Sequence, residues 1–230
     1  MAAVSQLDQV KTTTAGNKST AAVAVALGDL IIFIGHNSGR TTAQAGTPSD
    51  NNPVAGTYTL ITSATKNTSA DSMWAYVRNK PIENTTTTTF TWTQASDSGG
   101  GLVVFKITGM SIFGLAAIRQ TGKQDNAATG TPSITMGKAI LTANACIGIV
   151  HTGQTGTTNT APPTSWTELG DSGYSTPSTG MEQCHRNSGE TNTTVAWTAA
   201  TTSAFSSMLI ELDTTHLLRR LNVYPQILPQ

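Results

Sequence analysis

Two apolar runs of strand length constrain this chain more than any other feature. Leu30-Ile31-Ile32-Phe33-Ile34 ends on Gly35-His36, and Ala145-Cys146-Ile147-Gly148-Ile149-Val150 ends on His151. They are short, β-branched and bounded by turn residues, which is how strands read and helices do not. Each run is followed by the same landmarks. After the first come Pro53, Tyr58-Thr59, Met73 to Arg78, Phe90-Thr91-Trp92-Thr93 and Leu102 to Ile107. After the second come Pro162-Pro163, Trp166-Thr167, Met181 to Arg186, Val195-Ala196-Trp197-Thr198 and Met208 to Leu212. Tyr58 to Arg78 is 20 residues, as is Trp166 to Arg186; Trp92 to Phe105 is 13, as is Trp197 to Ile210. Spacing changes only where connections belong, as expected of two pseudo-repeats, about 18–120 and 131–213.

Helical periodicity is almost absent elsewhere. Strands are expected at 20–27, 30–36, 57–65, 72–80, 86–93, 101–108 and 112–120. In the second half they are expected at 133–136, 139–141, 145–151, 165–169, 179–186, 193–197 and 204–212. The 42 threonines favour extended backbone through their branched Cβ while wetting an outer face without charge. Gly122 to Gly130 reads as a long turn, not a tether, so nothing separates two independent domains. Each half alone would expose an apolar sheet face. The expected fold is therefore all-β: one antiparallel, jelly-roll-like β-sandwich over 18–213, with an N-terminal segment at 1–17 and a C-terminal arm at 214–230.

Composition excludes some functions. With 13 basic and 13 acidic residues the net charge is zero, and no basic block marks a nucleic-acid or acidic-membrane binder. The start carries no basic stretch followed by an apolar one, and no apolar run is long enough to span a bilayer. Cys146 and Cys184 have no zinc-type spacing and read as two buried thiols. The sequons at Asn17, Asn67, Asn84 and Asn192 follow from the abundance of Asn and Thr.

Candidate chemistry is sparse. Gly170-Asp171-Ser172-Gly173 and Asp97-Ser98-Gly99-Gly100 imitate a serine-protease nucleophile motif. The companion histidine context is missing, and Asp, Ser and Gly are what turns prefer, so both are expected to be turns. His36, His151, His185 and His216 show no metal-ligand spacing, and no calcium or phosphate loop is present, so no catalytic, cofactor or metal residue is nominated. Trp92 with Trp197, and Tyr58 with Trp166, are repeat mates and read as core anchors. Trp74 has no aromatic mate, because Glu182 stands in its place, and is the one Trp nominated for ligand contact. Arg78 and Arg186 are also mates and read as strand-end partners of carboxylates or backbone.

The tail changes character. His216 to Leu221 suits a helical turn, which Pro225 and Pro229 prevent from continuing. Leu217, Leu218, Leu221, Tyr224, Ile227 and Leu228 need an apolar partner. The segment either folds back on its own sandwich or docks as an arm on a neighbouring subunit. In the second case these residues, with Arg219 and Arg220, make the contact.

The layout Gly28-Asp29-Leu30-Ile31-Ile32-Phe33-Ile34, then Pro53-x-x-Gly56-Thr57-Tyr58-Thr59-Leu60, then Phe90-Thr91-Trp92, resembles tailed-bacteriophage structural proteins. Pro163-Thr164-Ser165-Trp166-Thr167-Glu168-Leu169 is its second copy. The resemblance covers about residues 18–213. Tyr58 stands where the pattern usually has Trp, and the tail lies outside it. It implies a virion β-sandwich without catalysis, most simply a capsid decoration or cement protein. Such a protein binds the major capsid protein or other virion proteins as a homo-oligomer. A head-fibre, collar or tail-fibre domain binding host glycans is the other role it implies.

Overall fold

The computed structural model describes residues 1–12, 16–37, 46–66, 71–94, 99–153, 160–175 and 178–214, with backbone alone at 172–175 and 178. Among these residues the first half supplies β1 (Ala3–Thr12), β2 (Lys18–Ser19), β3 (Val23–Val25), β4 (Leu30–Asn37) and β5 (Thr47–Asp50). It continues with β6 (Tyr58–Lys66), β7 (Asp71–Arg78), β8 (Thr86–Thr88), β9 (Phe90–Thr93) and β10 (Gly100–Thr108). After a 3₁₀ turn at Gly114–Ala117 come β11 (Ile118–Ala127), β12 (Ser133–Thr135), β13 (Cys146–Thr152) and β14 (Thr167–Ser175). The last are β15 (Ser178–Arg186), β16 (Thr194–Ala196) and β17 (Phe205–Leu212).

Each half builds one five-stranded antiparallel sheet. The orders are β1-β10-β4-β7-β6 and β11-β17-β13-β15-β14, the same order when strands are matched by position. Short strands cover each sheet from outside: β2-β9-β5 and β3-β8 over the first, β12-β16 over the second. In the first half β1-β10-β4-β7 belongs to the large sheet and β2-β9-β5 forms a separate three-stranded one. The two large sheets then pack face to face, β6 against β11 and β17, and β1 against β14. The strand orders run oppositely across the stack, and the mates β4 and β13 lie at its middle.

Burial explains why the central strands are apolar without alternation. In β4, Leu30, Ile32 and Ile34 face the other half and share a core with Ile147, Ile149, Met208 and Ile210. Ile31 and Phe33 point the other way, into a core with Phe90, Trp92, Leu102 and Val104. A third core holds Cys146, Val150, Trp166, Val195, Trp197 and Leu209. Both faces of each large sheet are thus covered, so both parities must be apolar. The expected sandwich of two halves is present at the centre, and each half adds an outer layer of its own.

Several expected boundaries move. Most of the N-terminal segment expected at 1–17 is not separate: β1 pairs with β10 from Ala3↔Thr108 to Thr12↔Gly100, with a bulge between Gln6 and Asp8. That bulge switches faces, so Val4 enters the central core while Leu7 and Val10 pack outward. Alternation read without the bulge hides the strand. The long turn expected at Gly122–Gly130 is mostly β11, a polar edge strand held by its register with β17. Residues 114–117, expected as strand, form the 3₁₀ turn, and 139–141 is not a strand. Gly170 to Gly173 lies within β14, so that stretch is strand rather than turn.

The indole of Trp92 lies over Gly35, where an added Cβ would come within 2.4 Å of the ring. Gly148 meets Trp197 less tightly, at 3.0 Å. Gly35→Ala should lower stability by about 1–3 kcal/mol through overpacking, and Gly148→Ala by less, read as a shift of the denaturant midpoint at unchanged slope.

Candidate functional site

Of the residues nominated from sequence, Leu217, Leu218, Arg219, Arg220, Leu221, Tyr224, Ile227 and Leu228 lie outside the described residues, as do Asp97 and Ser98. Trp74 is on β7, opposite Gly35 and Ser63, with 7% of its surface exposed. Its ring sits 6.0 Å from Trp92 at 32°. It is core, and a ring covered this way offers no platform to a sugar. Trp92, Trp166 and Trp197 are buried too.

The arginine mates hold strand ends. Arg78 Nε donates to Asp50 Oδ2 at 3.1 Å, and the Tyr58 hydroxyl donates to the same oxygen at 2.7 Å. Arg78 also donates to the carbonyls of Lys80, Pro81 and Val54. In the second half Arg186 Nη1 and Trp166 Nε1 both donate to Glu190 Oε2, each at 2.9 Å. An aromatic donor and an arginine therefore converge on one carboxylate in both halves. The carboxylate comes from different places, Asp50 before Tyr58 and Glu190 after Arg186, so sequence spacing alone does not identify it. Both pairs fasten strand ends to neighbouring segments.

Glu182 is the buried acid that sequence reading passed over. It is opposite Asp171 on β14 and Val150 on β13, and its Oε1 accepts from Trp197 Nε1 at 3.1 Å. Burial, helped by the charges of Asp171 and Glu168, pushes its carboxyl up to about 8 against the pull of that hydrogen bond. It is a neutral acid at neutral pH. The signal in sequence was its place between Met181 and Cys184, where its mate is Trp74. Cys146 and Cys184 are free and buried, and burial raises both thiols, which keeps them unreactive.

His36 and His151 meet between the halves. Each continues the inward-facing row of its central strand, after Ile34 and after Ile149, and the rings lie 5.0 Å apart at 56°. Both are buried; His151 Nε2 bonds Thr179 Oγ1 at 2.9 Å, and each ring has an Nδ1 without a partner among the described residues. The nearby Lys66 is 1% exposed and paired with Asp71 at 3.2 Å. Burial pushes His36 down to about 3, aided by Lys18 and Lys66, and takes His151 well below the usual imidazole range, aided by Lys66 and His36. No group of three or more His, Cys, Asp or Glu with metal-binding placement occurs among the described residues.

The described surface also holds an open cleft of about 340 Å³. It lies between the start of β5 and the start of β6, lined by Gly46, Thr47, Pro48, Gly56, Thr57, Tyr58 and Tyr76. The Tyr76 hydroxyl donates to the Gly46 carbonyl at 3.3 Å, and burial raises its pKa.

The chain matches no protein-family model, and no curated protein or solved structure shows significant similarity to it.

The histidine pair sets an acid limit. Both rings stay neutral in the folded chain, whereas unfolded imidazoles protonate near 6.5. Stability is therefore full above that pH and falls as pH drops toward 3, by up to about 1.4 kcal/mol per pH unit for each ring. Urea midpoints measured from pH 7.5 to 4 should decline, and His36→Gln or His151→Gln should each flatten the decline by about one proton. Unchanged slopes in both variants would refute the assignment.

Proposed function

We propose that this chain is a non-enzymatic structural protein of a tailed-bacteriophage virion, a capsid decoration or cement protein that binds the shell and bridges coat subunits. The observation that carries this reading is the combination of a stack of β-sheets in a chain of little charge with an apolar C-terminal segment. The buried ionic groups support it: Asp50, Glu190 and Glu211 are each saturated by donors from neighbouring segments and serve cohesion. The sequence resemblance to phage structural proteins supports it as well. The same reading takes the two halves as an internal duplication, in keeping with their matched strand orders and paired Tyr58–Arg78 and Trp166–Arg186 landmarks. Neutral net charge suits a surface that lies against other protein copies, and shell symmetry favours a homo-oligomer. Partners are the major capsid protein or other virion proteins, with the segment 214–230 contributing to the contact. A chain ending at Asp213 should fold and stay soluble but lose shell binding, measured as occupancy on purified capsids. Wild-type occupancy would overturn the role given to the segment.

A second reading is a head-fibre, collar or tail-fibre domain that binds host surface glycans. The cleft between Tyr58 and Tyr76 favours it, with two aromatic rings beside threonine hydroxyls and backbone groups. On this reading Tyr76→Ala should weaken binding to host polysaccharide at least ten-fold in a direct titration, while Trp74→Ala acts only through stability. Equal affinity of wild type and Tyr76→Ala would remove the cleft as the site.

A further inference from the structure

We infer that the seam between β1 and β14 binds a monovalent hard cation, held by the side-chain oxygens of Gln6, Gln9 and Gln183 beside Gly170. These residues come from both halves. Gln6 and Gln9 lie on β1, opposite Phe105 and Val103. Gly170 on β14 is opposite Gln183 on β15, which in turn is opposite Ile149 on β13. Phe105, Val103 and Ile149 belong to the central core, so the three amides share the face that each large sheet turns to the other. In a regular strand, residues three apart face opposite ways. The bulge between Gln6 and Asp8 puts Gln6 and Gln9 on one side, and a second bulge, between Glu168 and Gly170, lies across the seam. The seam is close: β1 packs on β14, and Val4 N–H donates to Asn187 Oδ1 at 2.8 Å.

Beyond its chain neighbours, the three heavy atoms nearest to a Cβ built on Gly170 are all amide oxygens. They are Gln9 Oε1 at 3.3 Å, Gln183 Oε1 at 3.6 Å and Gln6 Oε1 at 3.7 Å. Hydrogen bonds from the amide nitrogens fix which way the amides point: Gln183 Nε2 donates to the Met181 carbonyl at 3.2 Å, and Gln6 Nε2 donates to Gln9 Oε1 at 3.4 Å. Gln183 is fully buried, and its Oε1, like that of Gln6, is a buried acceptor without a hydrogen-bond partner among the described residues. Three negative dipole ends that converge in a poorly hydrated seam repel one another unless a positive group sits among them. A water brings two hydrogens to three oxygens, whereas a cation attracts all three at once. The donor set also selects the ion. Carbonyl oxygens are ligands for hard cations. Neighbouring carboxylates are engaged elsewhere: Asp8 accepts from the Gln9 and Ala21 N–H groups, and Asp171 is opposite Glu182 on the outer face. With neutral ligands alone, a second positive charge would stay uncompensated in the seam, so the ion is monovalent.

This inference is independent of both functional readings, because it concerns the free chain. The test follows urea unfolding of the full chain while sodium or potassium chloride replaces tetramethylammonium chloride at constant ionic strength, the organic cation being too bulky for the seam. The folding equilibrium constant should rise with the alkali ion, up to tenfold for each tenfold in concentration once the site fills. Gly170→Ala, whose methyl group takes the space, and Gln183→Met, which removes one oxygen, should each lose that dependence. Sodium NMR relaxation on the unmodified chain needs no variant: the protein should broaden the sodium line, and potassium should reverse the broadening. Equal urea midpoints in all three salts would leave the oxygens to water and overturn the inference. A dependence kept by both Gly170→Ala and Gln183→Met would put the ion elsewhere and overturn it too.

Discussion

The face-to-face burial of the two large sheets is the contact on which the rest of the molecule depends. Leu30, Ile32 and Ile34 on one side and Ile147 and Ile149 on the other are inaccessible to solvent. Removing this surface from water stabilises the stack by roughly 1.5–3 kcal/mol for each large aliphatic side chain buried. It also fixes everything attached to the sheets. Because each sheet gives one face to its partner, only the other face is left for its own outer strands. That is why the outer layers are short and the cores three.

The matched strand orders give the interface an internal near-symmetry, in which equivalent strands lie at equivalent places. Its consequence is visible at the histidines. Two residues 115 positions apart in the chain, each at the end of its central strand, are brought into ring contact at the midline. Their burial without charge is tolerated because the neutral imidazole is the state the interior permits. The same logic governs the carboxylates at the opposite strand ends, where Asp50 and Glu190 stay buried because each meets an arginine and an aromatic donor. Polar groups thus mark the ends of the stack, and apolar groups fill its length.

Much of this was legible in the sequence. The runs around Ile32 and Ile149, the mates Trp92 and Trp197, the arginines at strand ends and the unpaired thiols all follow from local chemistry. The misses have physical causes. β1 was hidden by a bulge that moves its apolar residues from one face to the other. β11 is polar because an edge strand is half wet, and its pairing with β17 outweighs weak propensity. Trp74 looked available because it lacks an aromatic mate, but its position opposite Gly35 places it beside Trp92 in the outer core.

By itself, the sequence determined that the chain is extended and antiparallel, which residues are apolar enough to be covered, and that its halves carry the same landmarks. Those properties rest on backbone sterics and on a two-residue period, and both act over a few neighbouring positions. Only the tertiary structure decided which face meets which, that both faces of each large sheet are covered, and that His36 touches His151. It alone placed Asp213 against Ala117 and Thr214 against Asn144. These facts depend on contacts between residues about a hundred positions apart, and no local pattern encodes the partner of a buried face.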